Sequence, residues 1–277
     1  PDAREFALLQ LGGFALSGGD ALDVAADLDA EALDGLRRDG LLRASADNEW
    51  QILPEFAHDE IRRYAVSRVL LVNGDPAGAL LAAGAPRWAL PAARLACQAH
   101  LAGADRPHNP LHGRLARMQA AFDALVDAGH GARWGDVPAE ALLTIGDPAP
   151  LLADAWDDLR ADEGAGLKRL ARLLDQRHRR DAVVDAVVIE PIITLLLDDP
   201  TPWWSGDYVA KMLREWLHAL VMTNTIAGHP MRIRLRERLV AACDAGDARL
   251  VREREGAAAR RAARTPEEIE EERERVE

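Results

Sequence analysis

His58 and Asp59 are the residues of this sequence whose types and position best suit chemistry, because they stand where a helix is predicted to begin. Apolar residues follow on one face of that helix, at Ile61, Tyr64, Ala65 and Val69. The first amides of a helix expose N–H groups at the positive end of its dipole, which favours an anion. His58 is therefore a candidate donor to a phosphate oxygen. The alternatives are a local capping and packing role for His58, or a helix cap formed by Asp59.

A pair of tryptophans, Trp203 and Trp204, lies in DDPTPWWSGDY between two predicted helices. Tryptophan is enriched in binding hot spots, so the pair is a candidate anchor for a protein partner. Adjacent tryptophans at such a junction also pack into cores and seal helix ends, and this structural interpretation is the favoured one.

The remaining histidines do not form a convincing metal site. His108 and His112 are four residues apart, but Pro107 and Pro110 surround them and no carboxylate follows at helical spacing. His178 lies among arginines at a predicted helix end, where cations complement the helix dipole. We therefore predict no metal site.

The motifs of common enzyme classes are also missing. The phosphate-binding pattern G-x-x-x-x-G-K-S/T does not occur, and its nearest approximation, residues 164–169, lacks the spacing and the hydroxyl that holds Mg²⁺. Neither G-x-S-x-G nor H-E-x-x-H is present. An unfamiliar active site would have to gather Asp154, Asp157, Asp158 and His178, and nothing in the sequence gathers them. We predict no catalytic residue and no cofactor in this chain.

Composition favours helices, since hydrophobic residues make up 48% of the chain but aromatic residues only 5%. Cys97 and Cys243 are far apart, so neither a disulfide nor a cysteine zinc site is expected. No apolar run reaches the roughly 20 residues that span a bilayer, and the first residues lack a signal-peptide pattern. Arginine-rich usage, with Lys168 and Lys211 as the only lysines, fits a GC-rich genome. We expect a protein of the bacterial cytoplasm.

The first part of the chain predicts three helices followed by two short strands. The first helix, from residue 3, is expected to end at Gly12 and Gly13, and Asp27 or Asp29 is expected to cap the third. The segments 41–45 and 49–53 are short and extended, and a polar turn separates them. Three helices and a hairpin in this order predict a winged helix over residues 1–72.

From residue 73 to 250 the pattern is of helices punctuated by Pro and Gly. Helices are predicted at 76–83, 87–102, 111–128, 138–144, 149–160, 165–179, 181–197, 206–226 and 230–250, and the clearest apolar stripe runs over 208–221. No constant repeat period is found, so an irregular, superhelical or repeat-like α-helical array is expected. Residues 251–277 are charged and predict a solvated helix or a linker.

The charge balance opposes nucleic-acid binding. The chain has 46 acidic and 34 basic residues, a net charge of −12 at pH 7, and phosphate backbones are bound chiefly by cations. Residues 27–40 hold five acids and two arginines, although the third helix of a winged helix is the one that enters DNA. No nucleic-acid partner is therefore expected.

The segment LPEFAHDEIRRYAVSRVLL, placed after a hairpin and opening a helix, resembles the end of the winged-helix domain of STAND proteins, the signal-transduction ATPases that include NACHT and NB-ARC regulators. In that family an apolar residue, a residue that is often Met, and His-Asp form the MHD motif. Here the match is residues 56–59, with Ala57 in place of Met. The segments LLQLGGFALSGGDALDVAADL and LDGLRRDGLLRAS are also similar to the family, and the resemblance covers about the first 72 residues.

The resemblance implies a role for each region. His58, beside Asp59, would contact the β-phosphate of ADP bound in an upstream NTPase domain of the same polypeptide, and ATP exchange would release this resting state. Residues 73–250 would sense a protein ligand, and activation would drive oligomerisation, in phage defence or signalling. The alternative is a free-standing winged-helix transcriptional regulator whose helical region binds an effector.

Overall fold

The computed structural model describes residues 2–43, 52–103, 112–182, 184–199 and 207–262, and this part of the chain is mainly helical. Short 3-10 turns lie at Arg87–Ala89, Ala132–Asp136 and Ile226–Gly228. The α-helices are α1 (Ala3–Ser17), α2 (Ala21–Ala26), α3 (Ala30–Arg38), α4 (Asp59–Asn73), α5 (Pro76–Ala82), α6 (Leu90–Leu101), α7 (Arg114–Asp127), α8 (Val137–Leu142), α9 (Ala149–Asp154), α10 (Trp156–Asp181), α11 (Ala186–Asp198), α12 (Asp207–Met222) and α13 (Arg232–Ala262).

The chain forms two compact units. One consists of Pro1–Leu195 with Gly206–Trp216, and the other of Leu196–Ser205 with Leu217–Glu277. The predicted domain boundaries after residues 72 and 250 stay predictions.

The N-terminal helices share a small apolar core with the segment that follows α3. Its buried members are Ala7, Leu11, Ala32, Leu36 and Leu42. Leu42 pairs with Phe56 in an antiparallel bridge, where the amide of Arg43 donates to the carbonyl of Glu55 at 2.9 Å. This pairing lies at 41–43 and 55–57, beyond the predicted second strand at 49–53. The predicted turn and residues 44–51 lie outside the described residues.

Aspartates begin the first three helices. The carboxylates of Asp2, Asp20 and Asp29 each accept a hydrogen bond from an amide in the first turn of α1, α2 and α3. Asp29, rather than Asp27, therefore caps α3, since Asp27 stands at the end of α2. Part of the acidic excess of this region thus satisfies helix amides.

The prediction that the first helix ends at Gly12 and Gly13 is wrong, because α1 continues through both to Ser17. Gly12 lies against α4, and a Cβ built on it would be 2.9 Å from the carbonyl carbon and oxygen of Ala65. A Cβ on Gly13 would meet nothing within 4 Å. Gly12 is thus a packing residue that lets two helix backbones approach closely.

Helix α4 packs against α1 on one side and α6 on the other. Its buried residues are Ala65, Val66, Ser67, Leu70 and Leu71, whereas Tyr64 is 53% exposed. Of the predicted face, Ala65 is buried and Ile61 and Val69 are half-buried, so Tyr64 is the member that the prediction misplaced. Arg68 of α4 lies 2.7 Å from Glu5 of α1.

Helices α5 to α8 continue the same unit, with α6 packed on α8 and α7 on the turn at 132–136. Phe122 and Trp134 are buried there, with ring centroids 6.4 Å apart. Cys97 is a free, buried thiol whose Sγ lies 3.6 Å from the sulfur of Met118. Burial raises the pKa of the Cys97 thiol, which keeps it protonated and unreactive.

A backbone interruption divides α10. Asp162, Glu163 and Gly164 all have positive φ, so a left-handed turn separates the two parts of the helix. The predicted helix 149–160 is accordingly two elements, α9 and the start of α10, and the predicted helix 165–179 is the second part of α10. Pro191 lies inside the single helix α11.

An ion pair joins α10 to α12. Asp175 is buried, and its carboxylate binds Nζ of Lys211 and lies 3.0 Å from Arg179. Burial alone would raise the pKa of Asp175, but the hydrogen bonds from Lys211 and Arg179 outweigh it and lower that pKa. The carboxylate is therefore held in its charged form.

The second unit contains α13. Arg234 of this helix binds the Asp198 carboxylate, and Arg238 donates to the backbone carbonyl of Asp199 at 2.6 Å. The helix extends beyond the predicted end at 250 to Ala262, and residues 251–255 are exposed. Residues 263–277 lie outside the described residues, and the solvated helix or linker over 251–277 stays a prediction.

Replacing Gly12 with Ala tests the close approach of α1 and α4. We expect G12A to lower the free energy of unfolding by about 1–3 kcal/mol, because the new methyl group forces the Ala65 backbone to move. G13A is the matched control in the same helix, and should be neutral or stabilising by about 0.5–1 kcal/mol. Urea unfolding measures both, and equal effects of the two variants would contradict the account.

Replacing Asp175 with Asn tests the buried ion pair. Above pH 5 we expect D175N to cost about 1–3 kcal/mol of unfolding free energy, because Lys211 and Arg179 lose a buried carboxylate and Lys211 keeps the more distant Glu215, at 3.8 Å. The folded pKa of Asp175 is lowered, so its stabilisation is complete above the unfolded pKa of about 3.9 and is lost as the pH falls further.

The difference in stability between the wild type and D175N should therefore shrink below about pH 4. Denaturant unfolding between pH 2 and 7 measures it, with the exposed Asp157→Asn as control. A difference that does not change with pH would contradict the assignment.

Candidate functional site

His58 stands at the N-cap position of α4, where its backbone carbonyl accepts from the amides of Ile61 and Arg62. Its side chain is exposed and makes no capping hydrogen bond in the described part of the chain. His58 therefore caps the helix through its backbone carbonyl and not through its side chain. Its imidazole is left available to a group outside these residues.

Asp59 is the first residue of α4 rather than its cap, so the capping alternative is wrong. Its carboxylate lies 3.1 Å from Arg62, and the Arg62 guanidinium lies over the Trp88 ring, 4.9 Å from the centroid. Trp88 belongs to the turn that leads into α6. The start of α4 is thus tied to the helices that follow by a cation–π contact.

The outer surface of α3 carries few unpaired cations. Arg37 lies 2.8 Å from Asp34, and the Nε of Arg38 donates to the carbonyl of Asp34 at 3.3 Å. Arg4, from α1, lies 2.9 Å from Asp39. Residues 27–40 hold five acids against two arginines, so this surface carries a net negative charge that opposes a phosphate backbone.

The other candidates do not come together. Trp203, Trp204 and His108 lie outside the described residues. His112 is exposed, with Nδ1 2.9 Å from the carboxylate of Asp154. Among the residues described, no group of three or more His, Cys, Asp or Glu is arranged to hold a metal ion.

Four arginines surround a cleft that sequence analysis did not identify. We call it the arginine cleft, and its cavity volume is about 320 Å³. It is lined by Arg94, Arg133, Glu140, Leu143, Thr144, Leu173, Gln176, Arg177 and Arg180. These residues come from α6, the turn at 132–136, α8 and its end, and α10, all within one compact unit.

Carboxylates hold these arginines. Glu140 is largely buried, and it binds Arg94 and lies 3.4 Å from Arg133. Arg177 donates to the carbonyl of Leu143 at 2.7 Å and also pairs with Asp185. Arg180 forms two hydrogen bonds with Asp181. Arg180 lowers the pKa of Asp181, so the carboxylate stays charged.

Sequence reasoning singled out only the cluster 177–180, and explained it by the helix dipole. The structure instead pairs Arg179 with Asp175, and directs Arg177 to the end of α8. Arg94 and Arg133 are distant in sequence from this cluster, and no spacing rule links them. The tertiary packing of α6, the turn at 132–136 and α10 brings the four together.

Comparisons of the chain with models of known protein families, with curated proteins and with solved structures find no match. Within the described residues, no helix is both long and apolar enough to cross a lipid bilayer.

Proposed function

We propose that this chain is the regulatory and ligand-sensing part of an ATP-dependent switch of the STAND type. The observation that carries the proposal is the exposed His58 imidazole at the start of α4, which no residue of the described chain engages. In this proposal His58, beside Asp59, donates to the β-phosphate of ADP held by an upstream NTPase domain of the same polypeptide. The chain itself contributes binding and coupling, and no catalysis.

Helix α4 supplies the coupling in this proposal. It packs on α1 and on α6, and Arg62, one turn from His58, lies over Trp88. A rigid helix with contacts on both sides moves as one body, so loss of the phosphate contact at His58 would shift both neighbours. The antiparallel pairing of Leu42 with Phe56 and the three preceding helices support a winged-helix module at this end.

The helices after α4 act as the sensor of a protein ligand in this proposal, with oligomerisation on activation. The setting would be the bacterial cytoplasm, in phage defence or signalling. A free-standing DNA-binding regulator is less well supported, because residues 27–40 hold five acids and two arginines.

Replacing His58 with Ala in the full-length protein tests the proposal. Loss of one hydrogen bond to a charged phosphate costs about 1.5 kcal/mol, so ADP should dissociate about tenfold faster and basal activity should rise. Radiolabelled ADP release and the output without ligand measure the two effects. The folded state should not weaken, since the side chain is exposed and makes no capping hydrogen bond in the described chain.

The matched control is His112→Ala, which removes another exposed histidine, far from α4 in sequence. H112A should leave both ADP release and basal output at the wild-type level. Unchanged ADP release in H58A, with the protein folded, would refute the nucleotide-sensing role.

A further inference from the structure

We propose that the arginine cleft binds a small phosphorylated molecule. The residues of the cleft do not include His58, so this proposal does not depend on the proposed nucleotide switch. The chain carries a net charge of −12, whereas the four arginines of the cleft face three carboxylates, Glu140, Asp181 and Asp185, which leaves a local excess of one positive charge. Such an excess concentrates anions at the cleft.

The donors of the cleft outnumber its acceptors. Arg94 and Arg133 share the single carboxylate of Glu140, which leaves one positive charge unbalanced. Each guanidinium carries five N–H donors in a planar fork, and Glu140 has only two oxygens. Most of these donors therefore need another acceptor, from water or from a ligand.

The other two arginines differ in how firmly they are held. Arg177 is fixed by the carbonyl of Leu143 and by Asp185, at 2.7 and 2.9 Å. Arg180 and Asp181 form an exposed pair, and exposed pairs contribute little stability. Arg180 can therefore exchange Asp181 for a ligand. Arg177 provides a guanidinium whose position is already fixed before a ligand binds.

These features match a phosphate group better than a single carboxylate. Phosphate carries close to two charges and three strong acceptor oxygens, so it can bind several guanidinium forks at once. A cavity of about 320 Å³ is in the range of small-molecule sites. A nucleic-acid strand is disfavoured, because the acidic chain would repel its remaining phosphates.

Isothermal titration calorimetry with inorganic pyrophosphate, in about 150 mM NaCl, tests the proposal. Wild-type protein should show saturable binding at one site. The double variant Arg133→Gln and Arg180→Gln should weaken binding by about tenfold or more, because two charged donors are lost. Both side chains are mostly exposed, at 69% and 74%, so the double variant should fold.

The matched control is Arg117→Gln, which removes an exposed arginine on α7 outside the cleft lining. It should leave affinity within about twofold of wild type. Thermal unfolding of every variant checks the fold, and if the double variant does not fold, each single variant should weaken binding about threefold.

Three results would overturn the proposal. The first is that pyrophosphate shows no saturable binding to the wild type. The second is that R117Q loses as much affinity as the cleft variants do. The third is that the cleft variants fold and keep wild-type affinity. Citrate serves as the second probe, and citrate binding as tight as pyrophosphate binding would refute the preference for phosphate.

Discussion

The close approach of α1 and α4 at Gly12 is the constraint on which the N-terminal half of the molecule depends. The absent side chain lets the Ala65 backbone reach α1, and the Arg68–Glu5 pair lies between the same two helices. With α1 fixed, the opposite side of α4 is left to α6, and the core residues of α4 are shared between two neighbours. Helix α4 thus packs against two neighbouring helices, α1 and α6.

Both candidate sites lie on helices of this packed unit. His58 lies at the start of a helix that contacts both α1 and α6, and Arg62 links this end to Trp88. The arginine cleft lies further along the same unit, where α8 joins α6 to α10. A nucleotide contact at His58 and a phosphorylated ligand in the cleft would then act on connected helices, although each is proposed on its own residues.

The sequence predicted features that depend on neighbouring residues, such as helix caps and apolar stripes. It did not predict contacts between residues that are distant in the chain. Asp29 caps α3 as one of two predicted candidates, and Val209, Met212 and Trp216 form a buried stripe on α12 as its spacing predicts. Gly12 looked like a helix breaker because its partner, Ala65, is distant in sequence. The arginine cleft was equally hidden, since its guanidinium groups come from separate helices and turns. The winged-helix and family assignments stay predictions.

In the proposed function, this chain regulates a nucleotide-binding domain carried by the same polypeptide. The most direct measurement is the size of the native polypeptide, by immunoblot of source-cell lysate with an antibody against residues 1–277. The account predicts a band far above the 30.2 kDa of this chain. A band at that mass would contradict it, and would remove the nucleotide-sensing role from His58.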